Sequence, residues 1–487
     1  MNSAIRRLAV AAIILILALL ANATYIQAFR ADDLNGRNDN RRTRDEQYSV
    51  DRGPILVAGQ PVAESKPSND RYVYQRTYAN GLQYAHVTGF YSYLFGRAGI
   101  EQTENSQLNG SDPSLVFRRL IDMVTGQRQQ GASVALTLNP RAQKAALEGL
   151  TKHGYHGAVV ALDPKTGAVL ASVSTPSYDP NLLASHDLKK VDDTWQRLLK
   201  DPDKPMLNRA ERETYPPGST FKLVTLAAAL STGRYNKDTQ VASPARMDLP
   251  QTTADLVNHN GRNCGGSDNA TLLVALRNSC NTAFGRLGLD VGADALRDQA
   301  EKFGFGERHL TELGGVASQF PEDPNEPQVA QTAIGQFDVR GTPLQMAMVA
   351  AAIANRGELM KPYLVAAVRT ADLKTIEQTK PEALHQSVSP DVADQINQMM
   401  VDVVDNGTGK PARMDGIKVA GKTGTAQTSP QRPPYAWFVS FAPADDPKVA
   451  VAVVIEKAGD KERDDIAGGR LAGPIAKAVM EAVINAQ

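Results

Sequence analysis

Residues 8–29 read LAVAAIILILALLANATYIQAF and are apolar except for Asn22, Thr24 and Gln27. A stretch of roughly twenty apolar residues is long enough to cross a hydrocarbon core as one helix. Two readings of it compete. Ala21-Asn22-Ala23 has the small-residue pattern of a cleavage site, which would make the segment a removed signal peptide. Tyr25, Ile26 and Phe29 instead extend the apolar run and suit a membrane interface, which favours an uncleaved anchor. Charge alone does not orient it, because Arg30, Arg37, Arg41, Arg42 and Arg44 beyond the segment outnumber Arg6 and Arg7 before it. On either reading the chain engages an export pathway.

At 487 residues the chain is too long for one ordinary domain. Lys+Arg and Asp+Glu both total 53, which leaves no net field to attract nucleic acid, and no basic run or zinc-finger spacing appears. Metal chemistry has no support: His86, His153, His156, His186, His259, His309 and His385 form no HExxH pattern, and His153 and His156 read as loop residues beside Gly154 and Gly157. No cofactor is implied. The two cysteines, Cys264 and Cys280, lie sixteen positions apart. They are either small unpaired core residues or, in an exported chain with Gly265-Gly266 beside one of them, a disulfide.

Three regions follow from the pattern. Residues 1–30 form a short tail and the apolar span. Residues 31–150 begin with a polar, charged stalk (31–50) and continue as a modest α+β module. Residues 151–487 form the largest unit. There, GAVVALDPKTGAVLASVS is two β-rich runs around the turn Asp163-Pro164-Lys165-Thr166-Gly167. Ala/Leu-rich helices follow at 221–230, 271–278 and 343–355, the last with Thr342 as N-cap and Pro343 at the first helical position. The chain returns to strands at 416–426, 436–442 and 448–456, and an amphipathic helix runs from about 471 to 485. Strands at both ends with helices between predict an α+β unit: a central antiparallel sheet completed by sequence-distant segments and flanked by helices.

The sharpest chemical feature is Tyr215-Pro216-Pro217-Gly218-Ser219-Thr220-Phe221-Lys222. The prolines and glycine stop whatever precedes, and an apolar helix begins near Ser219. Ser219 and Lys222, three apart, share one face of its first turn, where free N–H groups favour developing negative charge. A helix apolar nearly all round is buried, and burial lowers a lysine pKa, which lets an amine take a proton from serine. Ser-x-x-Lys alone is a weak signal, since an N-cap serine with a snorkelling lysine reads the same way. Lys-Thr-Gly occurs twice. Lys165-Thr166-Gly167 sits in the hairpin turn and reads as structural. Lys422-Thr423-Gly424, followed by Thr425, lies inside an extended run, where glycine marks close approach of a ligand to the backbone.

Ser-x-Asn also occurs twice, as Ser267-Asp268-Asn269 and Ser279-Cys280-Asn281. Twelve residues separate them, about 18 Å if the segment between is helical, so only one can reach Ser219. The first directly precedes ATLLVALR and reads as an N-cap cluster. The second lies in a helix–helix connection, where side chains project into a cleft.

Ser-x-x-Lys, Ser-x-Asn and Lys-Thr-Gly, in that order, are the signature of penicillin-recognising serine transferases and hydrolases. With the N-terminal span, Arg52-Gly53-Pro54-Ile55, Tyr215-Pro216-Pro217-Gly218 and Ala436-Trp437-Phe438, the chain resembles class B penicillin-binding proteins, in particular those of actinobacteria. The resemblance implies a β-lactamase/transpeptidase-like fold and a serine-type D-Ala-D-Ala transpeptidase that cross-links peptidoglycan stem peptides and is acylated by β-lactams. It also implies a single-pass membrane protein with its catalytic unit outside the cytoplasm, alongside a membrane glycosyltransferase of the shape, elongation or division type. Ser219 would be the nucleophile and Lys222 its base. Ser279 would relay a proton to the leaving amine, and Asn281 would hold the substrate amide. Lys422 and Thr423, beside Gly424, would bind the terminal carboxylate, while the N–H groups of Ser219 and Thr425 would form the oxyanion hole.

Rival readings are a D,D-carboxypeptidase, a β-lactamase-type hydrolase, and a β-lactam-binding sensor or scaffold. A class A β-lactamase needs a Glu in an E-x-x-L-N context, absent between Asn281 and Lys422. A sensor needs further spans, and a dead scaffold would be expected to have lost a motif. The roughly 120 residues before the catalytic unit are too few for a fused glycosyltransferase.

Overall fold

Strand Val449–Lys457 is apolar along nearly its whole length because both of its faces are covered. Ala450, Ala452 and Val454 point into one hydrophobic core, while Val449, Val451, Val453 and Ile455 point into another. The computed structural model describes residues 3–30, 45, 48–115, 130–259, 261–372, 374–429 and 432–485. Most of the polar stretch read as a stalk, residues 31–44 with 46 and 47, lies outside the described residues.

Ser3–Phe29 forms one helix (α1) with no buried residue, the one described helix long and apolar enough to cross a membrane. Strands β1 (Ile55–Val57), β2 (Gln60–Pro67), β3 (Tyr74–Tyr78) and β4 (Ser133–Leu136) belong to the N-terminal module. Helix α2 (Pro140–Thr151) and the hairpin β5 (His156–Leu162) and β6 (Val169–Thr175) open the larger unit. His156 therefore begins a strand, not a loop; its partner is Lys457 across the sheet. The remaining elements that position the site are α3 (Lys222–Ser231), α4 (Leu272–Arg277), α5 (Asn281–Val291), α6 (Pro343–Ala354), β7 (Val365–Arg369), β8 (Thr375–Gln378), α7 (Pro390–Asp405), β9 (Ala420–Ala426), β10 (Tyr435–Ala442), β11 (Val449–Lys457) and α8 (Gly468–Ile484).

The larger unit is built on a five-stranded antiparallel sheet, ordered β9-β10-β11-β5-β6, with β9 at its edge. Strands from residues 156–175 and 420–457 are thus neighbours, as expected for a sheet completed by distant segments. Helix α6, buried along its entire length, lies on one face. Helices α2 and α8 cover the other, where Leu471, Ile475, Val479 and Val483 of α8 are buried. Each such side chain contributes roughly 1.5–3 kcal/mol. Helix α2 sits on the N-terminal side of the boundary drawn at 150/151, yet it packs on this sheet through Ala142, Ala146 and Leu150.

The N-terminal module differs from a self-contained unit. Its six-stranded sheet runs β8-β7-β4-β1-β2-β3, with β1 and β4 parallel and β7 antiparallel to β4. Two of its strands therefore come from residues 365–378. Beneath the sheet, Arg52 and Arg76 converge on the fully buried Glu101 at 2.5 and 2.7 Å. Removing one member of such a group costs about 3–5 kcal/mol, because it strands a buried charge. Gln143 of α2 joins the units: its Nε2 donates to Gln83 O of the N-terminal module and to Ser172 O of β6, both at 2.8 Å.

Candidate active site

Proline and glycine shape the turn at Ser219. Gly218 adopts φ +54°, and a single 3-10 turn over Gly218–Phe221 leads into α3. Thr220 Oγ1 donates to Pro217 O at 2.7 Å, closing that turn. The loop lies directly on β9: a Cβ at Gly424 would stand 2.9 Å from a Thr220 methyl group and 3.0 Å from Pro217 O. Trp437 on β10 fixes the approach by donating its Nε1–H to Pro216 O at 3.0 Å. Glycine at 424 is what lets the Ser219 turn meet the strand edge.

Lys222 is fully buried, and its Nζ stands 5.5 Å from the centre of the Phe284 ring. Burial, with the charge of Lys422 second, holds its amine well below the ordinary lysine range. Nζ donates to Ser279 O at 2.7 Å and to Asn281 Oδ1 at 2.8 Å. These two short donations would use both hydrogens of a neutral amine. Ser279 Oγ is 3.4 Å from this nitrogen and accepts from Lys422 Nζ at 2.8 Å, so the hydroxyl bridges the two amines.

Ser279 sits at φ +58°, an unusual conformation for a residue with a side chain, in the connection between α4 and α5. Cys280 caps α5 and is bonded to Cys264, with Cα atoms 5.9 Å apart. Asn258 Oδ1 completes the corner by accepting from the N–H groups of Asn281 and Thr282 at 2.8 and 3.1 Å. Asn281 Nδ2 donates to Val257 O at 2.9 Å. The other triplet stands apart. Ser267 is exposed and bonds locally to Asn269 O, and Asn269 begins a short strand. The cap of α4 is Thr271, which accepts from Val274 N, and not the Ser267 cluster. The cluster was displaced because the chain pairs as strand Asn269–Thr271 with Gln240–Ala242 before the helix starts.

Lys422 is also fully buried; its Nζ donates to Ser279 Oγ and to Thr423 O, at 2.8 and 2.7 Å. Burial brings its pKa down to about 7. Its side chain meets the cleft through Ser279. Thr423, Thr425 and Ser219 line a cavity of about 660 Å3 that also includes Ser279, Asn281, Thr408 and Arg470. Sequence reasoning had passed over Thr408, whose Oγ1 stands 2.7 Å from Thr423 Oγ1, and Asn258. For Thr408 the available signal was the glycine on either side, in a loop between a helix and a strand. Lys165 pairs with Asp446 at the surface, in the turn where its Lys-Thr-Gly was placed.

The family described as the penicillin binding protein transpeptidase domain matches residues 157–481, and the penicillin binding protein A dimerisation domain matches residues 52–134. The peptidoglycan D,D-transpeptidase PbpA of Mycolicibacterium smegmatis is 46% identical over 497 residues, spanning 100% of this chain and 99% of the relative. Its Mycobacterium tuberculosis counterpart is 44% identical over 494 residues, with all of both chains covered. Among solved structures, the ceftriaxone acyl-enzyme of M. tuberculosis penicillin-binding protein A superposes with a TM-score of 0.87 at 43% identity, over 90% of this chain and 100% of that one. The penicillin G acyl-enzyme of the same protein gives 0.85 at 43% identity, over 89% and 100%.

Proposed function

The chain belongs to the penicillin-binding protein transpeptidases, and on that footing we propose that it works as a peptidoglycan D,D-transpeptidase through an acyl-enzyme on Ser219. The observation that carries the reading is the fully buried Lys222 amine, held by Ser279 O and Asn281 Oδ1, one turn from Ser219. Ser219 Oγ attacks the carbonyl of the D-Ala-D-Ala bond while Lys222 takes the hydroxyl proton. The N–H groups of Ser219 and Thr425 receive the oxyanion. The proton passes from Lys222 through Ser279 Oγ to the leaving nitrogen, and D-alanine departs. An acceptor amine then attacks the ester and returns its proton by the same route. Thr423 and Thr425 contact the terminal carboxylate, and Lys422 supplies attraction from behind Ser279. The remaining hydrogen of Asn281 Nδ2 serves the substrate amide. β-Lactams acylate the same hydroxyl.

Helix α1 holds the enzyme in the membrane with the catalytic unit on its outer side, which agrees with a disulfide beside the site, since such bonds persist in oxidising compartments. A membrane glycosyltransferase that makes the glycan strands is the natural companion of an anchored cross-linking enzyme. The full chain is tested with a donor stem peptide, with and without an amine acceptor. Cross-linked product and free D-alanine are expected, both lost in Ser219→Ala, which also fails to take up a fluorescent penicillin. Equal labelling of the two proteins contradicts the nucleophile assignment, and hydrolysis without transfer contradicts transpeptidation.

The two lysines fix a pH profile. Lys222 must be neutral to act, so acylation falls as pH drops through its lowered pKa, and that acid limb lies far below the range of an ordinary lysine near 10.4. Lys422 attracts the carboxylate only when charged, so the alkaline limb begins at about 7 in the free enzyme. Acylation rates by penicillin measured against pH should be bell-shaped. A rate that rises without a maximum to pH 10 would remove Lys422 from carboxylate attraction.

A further inference from the structure

Recognition of a terminal carboxylate needs donors at the cleft surface, and the buried Lys422 commits two of its donors to Ser279 Oγ and Thr423 O. Beside Thr423 the cleft surface offers hydroxyls, while Arg470 of the same cleft donates to Asp465 Oδ1 at 3.0 Å. Thr408 follows the end of α7 and is pinned from two sides by backbone. A Cβ at Gly407 would lie 2.5 Å from Arg277 O, and one at Gly469, in the first turn of α8, would lie 2.3 Å from Thr408 O. The Gly469 position would also stand 3.0 Å from the Thr423 methyl group. These close approaches bring Thr408 and Thr423 face to face, 2.7 Å apart at their hydroxyls, both lining the cleft.

We propose that Thr408 is a positioning residue for carboxylate recognition: it and Thr423 form a two-hydroxyl relay in which one O–H donates to the other and the second points at the terminal carboxylate. Whichever threonine donates first, one O–H of the pair is directed outward and is polarised by the bond behind it. Without Thr408, the Thr423 hydroxyl rotates freely. This rests on the reading of the cleft as a site for D-Ala-D-Ala carboxylates and adds to it a residue outside the three motifs.

The full-length protein is compared with Thr408→Val and Thr408→Ser, using penicillin G and its methyl ester as acylating probes. Thr408→Val is expected to slow acylation by the acid roughly tenfold, the size of one weakened charge-assisted hydrogen bond. The ester, which has no carboxylate, should react at an unchanged rate, and Thr408→Ser should restore the acid rate to within about twofold. Thr408→Ala serves as a second variant that only removes atoms. Parallel losses for acid and ester, or no loss for either, overturn the proposal. Noncovalent binding of the acid is also measured in Ser219→Ala with and without Thr408→Val. An error in the nucleophile assignment leaves that comparison intact, and equal binding overturns the role of Thr408.

Discussion

Lys222→Met is expected to slow acylation by penicillin about 10²–10⁴-fold, the range for loss of a positioned general base. Methionine is close in size and apolar, so it suits the pocket against Phe284 but offers no lone pair for the Ser219 proton. It also leaves Ser279 O and Asn281 Oδ1 without the donor they now share, so some of the loss arises from a loosened corner. Lys222→Arg separates the two effects. A guanidinium can donate to both oxygens but stays charged at any accessible pH, so it restores the corner and not the base. Stopped-flow acylation with thermal melting reads both. A rate within tenfold of the unaltered enzyme in either variant would mean that another group accepts the proton.

The second large effect lies outside the motifs. Gly335 adopts φ +77°, and a Cβ there would stand 1.9 Å from Gly218 O and 2.6 Å from Gly218 C, both backbone atoms of the nucleophile turn. Gly218 N donates to Gly335 O at 2.9 Å, so the two glycines are locked together. Gly335→Ala must displace the Ser219 turn or break that lock. The expected result is a stability loss above about 3 kcal/mol together with loss of penicillin labelling. Gly416→Ala is the control, because φ there is +74° but nothing lies within 4 Å of the added atom. It should cost only about 1–2 kcal/mol of backbone strain and leave labelling intact. Equal melting temperatures for the two variants would show that the Gly218–Gly335 contact gives way cheaply.

These residues mark what local pattern can carry. Ser219 and Lys222 were legible because three positions along one chain segment fix a shared face. The strands at 156–175 and 420–457 were legible as apolar runs bounded by turn chemistry. The choice of Ser279 over Ser267 followed from placing one triplet between two helices. The cap assigned to Ser267 failed, because the short strand Asn269–Thr271 depends on a partner about thirty residues earlier. Gly335 and the pairing of Thr408 owe their importance to atoms contributed by Gly218 and Thr423, which no window of sequence brings together, although the glycines around Thr408 mark its loop. Asn258 belongs with them, since its side chain secures a helix start twenty-three residues away.

The shared six-stranded sheet has a consequence in time. Ser133 pairs with Arg369, 236 residues further along the chain. A chain that emerges from its N-terminus therefore presents β4 with an open edge until most of the catalytic unit has been made. The module cannot finish first and wait for the enzyme to be added to it. Its last two strands arrive between α6 and α7, so the N-terminal module is closed by segments of the larger unit. Loop closure over such a distance is slow and leaves the strand edge exposed in the interval. The two units are thus one folding event, and a cut between them, however well placed on the surface, would separate strands of a single sheet.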